Sequence, residues 1–459
     1  MAMDGSERND YLWRSMLAVP DPLSLIGMPG NADVTWSGIG DVPTTVSQGW
    51  KVYVSATLAN YVKTLKIVGP ILHHFDIPFK YLSTLSRVRD QNSGLFGFSQ
   101  VGKCIVAYMY DASSVSMVLA ELRSSLETMG HEGPFVPRLP AAWPGASVFY
   151  RYGSYRGKCL ELAGTTLMDD RSDPLVAISL VEANPFTPVD NVLASGEESR
   201  PIHENRSILT RFPVASAICR SGKGGVFRGV DIQDPSRRDV IVKIGLRLGS
   251  ALPDGRDGAH FIHREWRMYG VMRDSGLSDV LATPIAFSRE DDANVLVLEA
   301  IQGVDLAAHR ASSVDDPSHL LAAVRLMRRI HGAGFALGDA KAANFIVRGA
   351  GLVVVDLESS SSLHGPRRAL PSTFIISGLQ DIGLEGHDIL HFLLSVASPK
   401  GRDDEGLGAS QSRHIRLPGF VDEIVPDDAW GYEAIRLLRL AIRELEKDPS
   451  LRELDRVFV

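Results

Sequence analysis

Polar and apolar residues alternate from about Trp50 onward, and the first clear run is KVYVSAT, Lys51 to Thr57. Alternation with period two predicts a strand with one buried face. A stretch with helical spacing follows, from about Leu58 to Phe75. Next come the strand KCIVAYMY, a helix near Ser114 to Met129, and the strand SVFYRYGSY. These short mixed elements predict a compact α+β unit ending near Asn184. The residues before about position 45 are rich in Pro, Gly and Asp and read as an irregular lead-in. Val189 to Arg206, VDNVLASGEESRPIHENR, is polar and contains Gly and Pro, the composition of a linker. The expected division is therefore residues 1–188, a linker at 189–206, and a second unit at 207–459. Beyond the linker the order is strand, glycine loop, strand, helix, strands, then mainly helix. That order predicts a β-rich lobe followed by a helical one.

Composition narrows the partners more than the fold. The chain has 459 residues, 44% of them apolar and 22% charged, with a formal net charge of −7. An acidic balance argues against nucleic acid, whose phosphates demand clustered basic surface. No apolar run is long enough to span a membrane, and the polar start MAMDGSERNDYLW is not a signal peptide. A cytoplasmic location is expected. Cys104, Cys159 and Cys219 lie far apart with no Cys-x-x-Cys pair, so neither a disulfide framework nor a cysteine zinc site is expected. Buried free thiols are.

Candidate chemistry begins at Ser221-Gly222-Lys223-Gly224-Gly225-Val226. Glycines such as Gly222, Gly224 and Gly225 let backbone N–H groups approach phosphate oxygens, although a plain hairpin fits the same text. VIVKIG then places Lys243 in an apolar, β-branched strand, where a cation needs a partner. Glu265, in HREWRMYGVM, stands at a plausible distance, and also reads as a surface helix residue. The stretch HGAGFALGDAKAANFIVRGAGLVVVDLESS is the most specific. Asp339 and Asn344 are five positions apart, and Asp356 closes the apolar run LVVV. This ordered set resembles the catalytic core of protein kinases. The resemblance implies ATP and Mg2+ as cofactors. Lys243 would hold the α- and β-phosphates, oriented by Glu265. Asp339 would accept the proton of a substrate hydroxyl, Lys341 would steady the γ-phosphate, and Asn344 with Asp356 would hold magnesium. The usual His-Arg before the catalytic aspartate is here Leu337-Gly338, and Leu357-Glu358 replaces Phe-Gly after Asp356. A constitutively formed site is expected rather than a switched one. Asp388, in HDILHFLLSV, is a candidate brace for the catalytic loop.

The N-terminal half carries GWKVYVSAT, PFKYLSTLSRVRDQNSG, VGKCIVAYMYD and WPGASVFYRYGSYRG. Their order resembles the lyase domain of class III and class IV lanthipeptide synthetases, itself similar to phosphothreonine lyases. The resemblance continues through GSALPDGRDGAHFIHRE and the DLE at Asp356. It implies an α+β lyase-like domain followed by a two-lobed kinase-like fold. It also implies phosphorylation of Ser and Thr in a leader-bearing precursor peptide, then elimination to dehydroalanine or dehydrobutyrine. By the same resemblance Lys80 matches the base, which must be neutral to act. Lys103, Arg138 and Arg151 match the basic phosphate-binding positions. The general-acid position holds Tyr53 instead of histidine, a much weaker acid by reference pKa. His73 and His74 are possible substitutes; alternatively the half only binds peptide or recruits a separate lyase. No cyclase domain follows, so ring closure is expected to need another protein.

Overall fold

The computed structural model describes residues 31–32, 35–44, 46, 48–109, 112–137, 139, 141–155, 159–162, 165–168, 207–312, 318–349, 351–364, 374–377, 383–397, 413–416, 421 and 428–447. The expected linker at 189–206 and Arg138 fall outside these.

The N-terminal half is a six-stranded antiparallel sheet in the order β1-β2-β4-β5-β3-β6. Its strands are β1 (Asn31–Ala32), β2 (Trp36–Ile39), β3 (Gln48–Val54), β4 (Phe79–Leu82), β5 (Ile105–Met109) and β6 (Val148–Ser154). Helices α1 (Tyr61–His74), α2 (Leu85–Ser93) and α3 (Ala112–Thr128) complete it. The strand and helix expectations hold with ends shifted by a few residues. Period two sorts β3 cleanly. Trp50, Val52 and Val54 join one core with Tyr61, Leu65, Val68 and Leu72 of α1 and Val118 and Leu122 of α3. Lys51 and Tyr53 point to the opposite face. α2 starts at Thr84, whose side chain accepts from Arg87 N, and ends at Gly94 in the left-handed conformation.

The C-terminal half opens with α4 (Ser207–Arg211) and a second antiparallel sheet, ordered β12-β13-β11-β10-β9. Its strands are β9 (Val214–Ser221), β10 (Gly224–Val230), β11 (Asp239–Leu246), β12 (Pro284–Arg289) and β13 (Ala293–Glu299). Val240, Val242 and Ile244 of β11 face a core with Leu209, Phe227, Val295 and Val297. The alternate residue Lys243 therefore lies on the face that α5 (Gly258–Met272) covers. α5 is capped by Asp257, which accepts from His260 N at 2.9 Å. The helical part comprises α6 (Leu306–Ser312), α7 (Ser318–Gly332), α8 (Leu384–Ala397) and α9 (Ala429–Lys447) around Met327, Phe345, Phe392 and Trp430. Two small ladders, one of β14 (Val304–Asp305), β16 (Phe345–Arg348) and β17 (Gly351–Val354), the other of β15 (Phe335–Ala336) and β18 (Ser361–Ser362), frame the segment from Phe335 to Ser362. The fold is α+β: an N-terminal α+β domain followed by a kinase-like region.

The cysteines depart from expectation. Cys104 is buried but Cys219 is exposed, and the Cys159 side chain is outside the described residues. Burial pushes the Cys104 thiol up to about 12, although hydrogen bonds to Ala56 O and Asn92 pull the other way. Thiolate is the reactive form. Iodoacetamide is therefore expected to label Cys219 in the native protein and Cys104 only after denaturation, as read by peptide mass.

Candidate active sites

The side chain of Lys243 is 9% exposed, and it contacts two carboxylates. Its Nζ donates to Glu265 Oε1 at 2.7 Å and to Asp356 Oδ1 at 3.0 Å. Glu265 is completely buried, so its alternative reading as a surface residue fails. Burial works against the Lys243 ammonium, but Asp356 and then Glu265 outweigh it and hold its pKa well above the ordinary lysine value. At Glu265 burial exceeds the pull of Lys243 and pushes the carboxyl up to about 7. At Asp356 burial is outweighed by Lys243, Lys223 and Lys341, which keep it well below the usual carboxylate range. Asp356 has φ of 66°, a left-handed conformation rare for a non-glycine residue and concentrated at functional sites. The segment after it is clamped by α5. Glu265 accepts from Leu357 N at 3.1 Å, and Arg264 donates to the carbonyls of Glu358 and Ser360.

The catalytic loop sits opposite. Lys341 Nζ lies 3.0 Å from Asp339 Oδ2, and Asn344 Nδ2 donates to Asp339 O at 2.8 Å. That bond uses the carboxamide nitrogen and leaves its oxygen for a cation. Asp388 does brace the loop: it accepts from Leu337 N at 2.6 Å and Gly338 N at 2.7 Å, and lies 3.0 Å from His331 Nε2. Gly338 stands where kinases carry arginine. Its φ is +78°, and a Cβ would lie 2.4 Å from Ser359 O, so no arginine fits this backbone. His391 was not foreseen. Its Nδ1 meets Ala340 O at 2.8 Å and its Nε2 lies 3.3 Å from Asp339 Oδ1, while burial lowers its pKa. It stands one helical turn from Asp388 on α8, a pairing that the pattern HDILH could have signalled.

The glycine loop is a two-residue hairpin between β9 and β10, as the plain-hairpin reading has it. Gly222 and Gly224 flank Lys223 in or beside the turn, whereas Gly225 is a β10 residue whose Cβ would strike the Phe227 ring at 2.7 Å. Asp356 and Asn344 supply a carboxylate and a carboxamide oxygen, which suit a hard cation. Magnesium is commonly held by one or two carboxylates together with phosphates and water. Among the described residues no group of three His, Cys, Asp or Glu side chains could hold a metal by itself.

The second cluster lies on the other face of the N-terminal sheet, beside a small apolar cluster of Tyr53, Val106, Val136 and Phe149. Register builds it: Lys80 is opposite Val106, Val106 opposite Tyr53, and Tyr53 opposite Phe149. The adjacent row holds Tyr108, Lys51 and Arg151. A cavity of about 40 Å³ is lined by Trp36, Lys51, Tyr53, Lys80, Gln100, Lys103, Val106 and Tyr108. Lys80 Nζ is 4.4 Å from the Trp36 ring centre, and Lys103 Nζ is 5.1 Å from that of Tyr53. Arg151 Nε donates to Tyr53 Oη at 2.9 Å. Lys80, Tyr53, Lys103 and Arg151 thus come together. His73 and His74 do not: both are exposed near the end of α1 and neither lines the cavity, which corrects their candidacy as acids. Lys51 was missed because a lysine in an alternating strand reads as solvated, yet it is buried here.

Asp388 offers a direct test of the catalytic-loop geometry. Asp388→Ala strands one buried and one half-buried N–H group and is expected to cost about 3–5 kcal/mol. Urea denaturation measures the loss.

Residues 33–174 match the family described as RamC, N-terminal domain, a span containing every strand of the six-stranded sheet except β1. The chain is 27% identical over 267 residues to "Probable SapB synthase" of Streptomyces coelicolor, covering 57% of this chain and 28% of that protein. It is 33% identical over 132 residues to the RIO-type serine/threonine-protein kinase Rio1 of Haloferax volcanii, covering 27% of this chain and 43% of that protein. The chain therefore spans less than half the length of either relative. In fold and in sequence it joins a region similar to the RamC N-terminal domain to a region similar to a serine/threonine kinase.

Proposed function

We propose that this chain modifies a ribosomally made precursor peptide in two steps, ATP-dependent phosphorylation of Ser or Thr followed by phosphate elimination, as a lanthipeptide-type dehydratase. The similarity to the RamC N-terminal domain and to SapB synthase supports the peptide-modifying class, and the Rio1 similarity supports a kinase step. The observation that carries the first step is Lys243 bridging Glu265 and Asp356, beside Asp339 and Lys341. Lys243 binds the α- and β-phosphates, Asp339 takes the substrate hydroxyl proton, and Lys341 neutralises the γ-phosphoryl group. Bound at Asn344 and Asp356, Mg2+ supplies charge neutralisation between the phosphates. ATP as donor fits a cytoplasmic site of action.

In the second step Lys80, as the free amine, removes the Cα proton. The Cβ–O bond breaks, its electrons leave with phosphate, and Tyr53 donates a proton to the departing oxygen. Lys51, Lys103 and Arg151 hold the phosphate. Lys51 and Lys103 share the Lys80 cavity. The residue divisions 1–188 and 207–459 correspond to these two activities in this reading.

A second reading keeps the kinase and assigns the N-terminal half to peptide binding or recruitment of a separate lyase. Tyr53 favours it, because the phenol is buried and its oxygen is engaged by Arg151.

Incubation with ATP, Mg2+ and the precursor peptide, read by mass, distinguishes the two. Loss of one water per modified residue is expected; accumulation of phosphopeptide favours the second reading, and an unchanged peptide refutes both. Asp339→Asn is expected to slow phosphate transfer by about 10²–10⁴-fold. Tyr53→Phe is expected to leave phosphorylation intact and to trap the phosphopeptide. Continued elimination by that variant removes Tyr53 as the acid.

A further inference from the structure

The β9–β10 hairpin is fixed from two sides. Gly222 N donates to Ser93 O of the N-terminal domain at 3.0 Å, and a Cβ on Gly222 would lie 1.5 Å from Asn92 O. On the other side Lys223 O accepts from Leu246 N at 2.8 Å. With its backbone held, Lys223 can reorient mainly through its side chain. That side chain is 41% exposed and ends on the carboxylate of Glu358, two residues beyond Asp356. Glu358 is fixed in turn, through its own carbonyl, by Arg264. The ion pair thus links the hairpin to the segment after Asp356, beside Lys243, Lys341 and Asp339.

We infer that Lys223 is a phosphate-binding residue whose resting counter-ion is Glu358, and that nucleotide entry transfers the ammonium from Glu358 to the triphosphate. The inference rests on the nucleotide reading proposed above. Charge supports it. The cluster holds the carboxylates of Glu265, Asp339, Asp356 and Glu358 against the ammonium groups of Lys223, Lys243 and Lys341. These carboxylates oppose a bare triphosphate. Moving Lys223 onto the phosphates removes part of that opposition and leaves Glu358 beside Asp356 as a further oxygen ligand for magnesium. Glu358 is largely buried, so the cost of breaking the resting pair must be offset by the charge-assisted contact of Lys223 with phosphate. The geometry also explains why Leu357-Glu358 follows Asp356: a glycine at 358 would leave Lys223 without its carboxylate.

Calorimetric binding of AMP-PNP, ADP and adenosine to the full chain, with and without Mg2+, tests this. Lys223→Ala is expected to weaken AMP-PNP binding by about tenfold or more, the loss of a charge-assisted contact, and to leave adenosine binding unchanged. Lys223→Arg is expected to keep most of the affinity. Glu358→Gln is expected to tighten AMP-PNP binding without Mg2+ and to reduce the gain that Mg2+ brings. If Lys223→Ala also loses adenosine, Lys223→Met, which keeps the apolar stem, is read in its place. Wild-type affinity for AMP-PNP in the Lys223 variant overturns the inference, and an unaltered Mg2+ response in Glu358→Gln overturns the role of Glu358. Failure of the unmodified chain to bind AMP-PNP overturns the nucleotide reading itself.

Discussion

An ammonium group in a β-branched strand must find counter-charge, because burial without it costs more than a small domain can bear. Lys243 finds two carboxylates, one from α5 and one from the loop after β17 (Gly351–Val354). The contact joins three segments that are distant in sequence, and the neighbouring geometry follows from it. Glu265 reaches past the lysine to Leu357 N, and the adjoining Arg264 anchors the next carbonyls. Asp356 is thereby held in a left-handed conformation that an isolated chain would avoid. In kinases that switch, this pairing is made and broken. Here it is closed, and the loop after Asp356 is clamped along its length.

The N-terminal cluster is built by another device. Antiparallel register and the pleat bring Lys51, Tyr53, Lys80 and Arg151 together, and Lys103 joins them from the loop before β5. Apolar residues on the other face of β3 pack under α1 and α3, so a slip of one residue would bury the lysines in that core. The stability of the core thus enforces the placement of the polar groups.

The two halves meet at the hairpin carrying Lys223. Asn92 is central: its amide donates to Ala56 O at 2.8 Å, and its carbonyl accepts from Ser250 Oγ at 3.1 Å. The preceding Gln91 holds the carbonyls of Gln100 and Lys103, both from the loop that borders the N-terminal cavity. A single turn of α2 therefore contacts both candidate sites.

Much of this was determined by the sequence alone. Alternation marked the strands, a lysine in an apolar strand announced a partner, and the spacing of Asp339, Asn344 and Asp356 resembled that of a kinase core. Those features are local, so short windows contain them. Long-range pairing decided the rest. Lys51 became a cavity residue only through its register with β5 and β6, and the Cys219 side chain came to the surface where burial was expected. His391 met Asp339 because α8 packs beneath the catalytic loop, and Lys223 met Glu358 across 135 positions of chain. No periodicity records which distant groups share a cleft, since that depends on how whole elements pack and on which charges must be neutralised there.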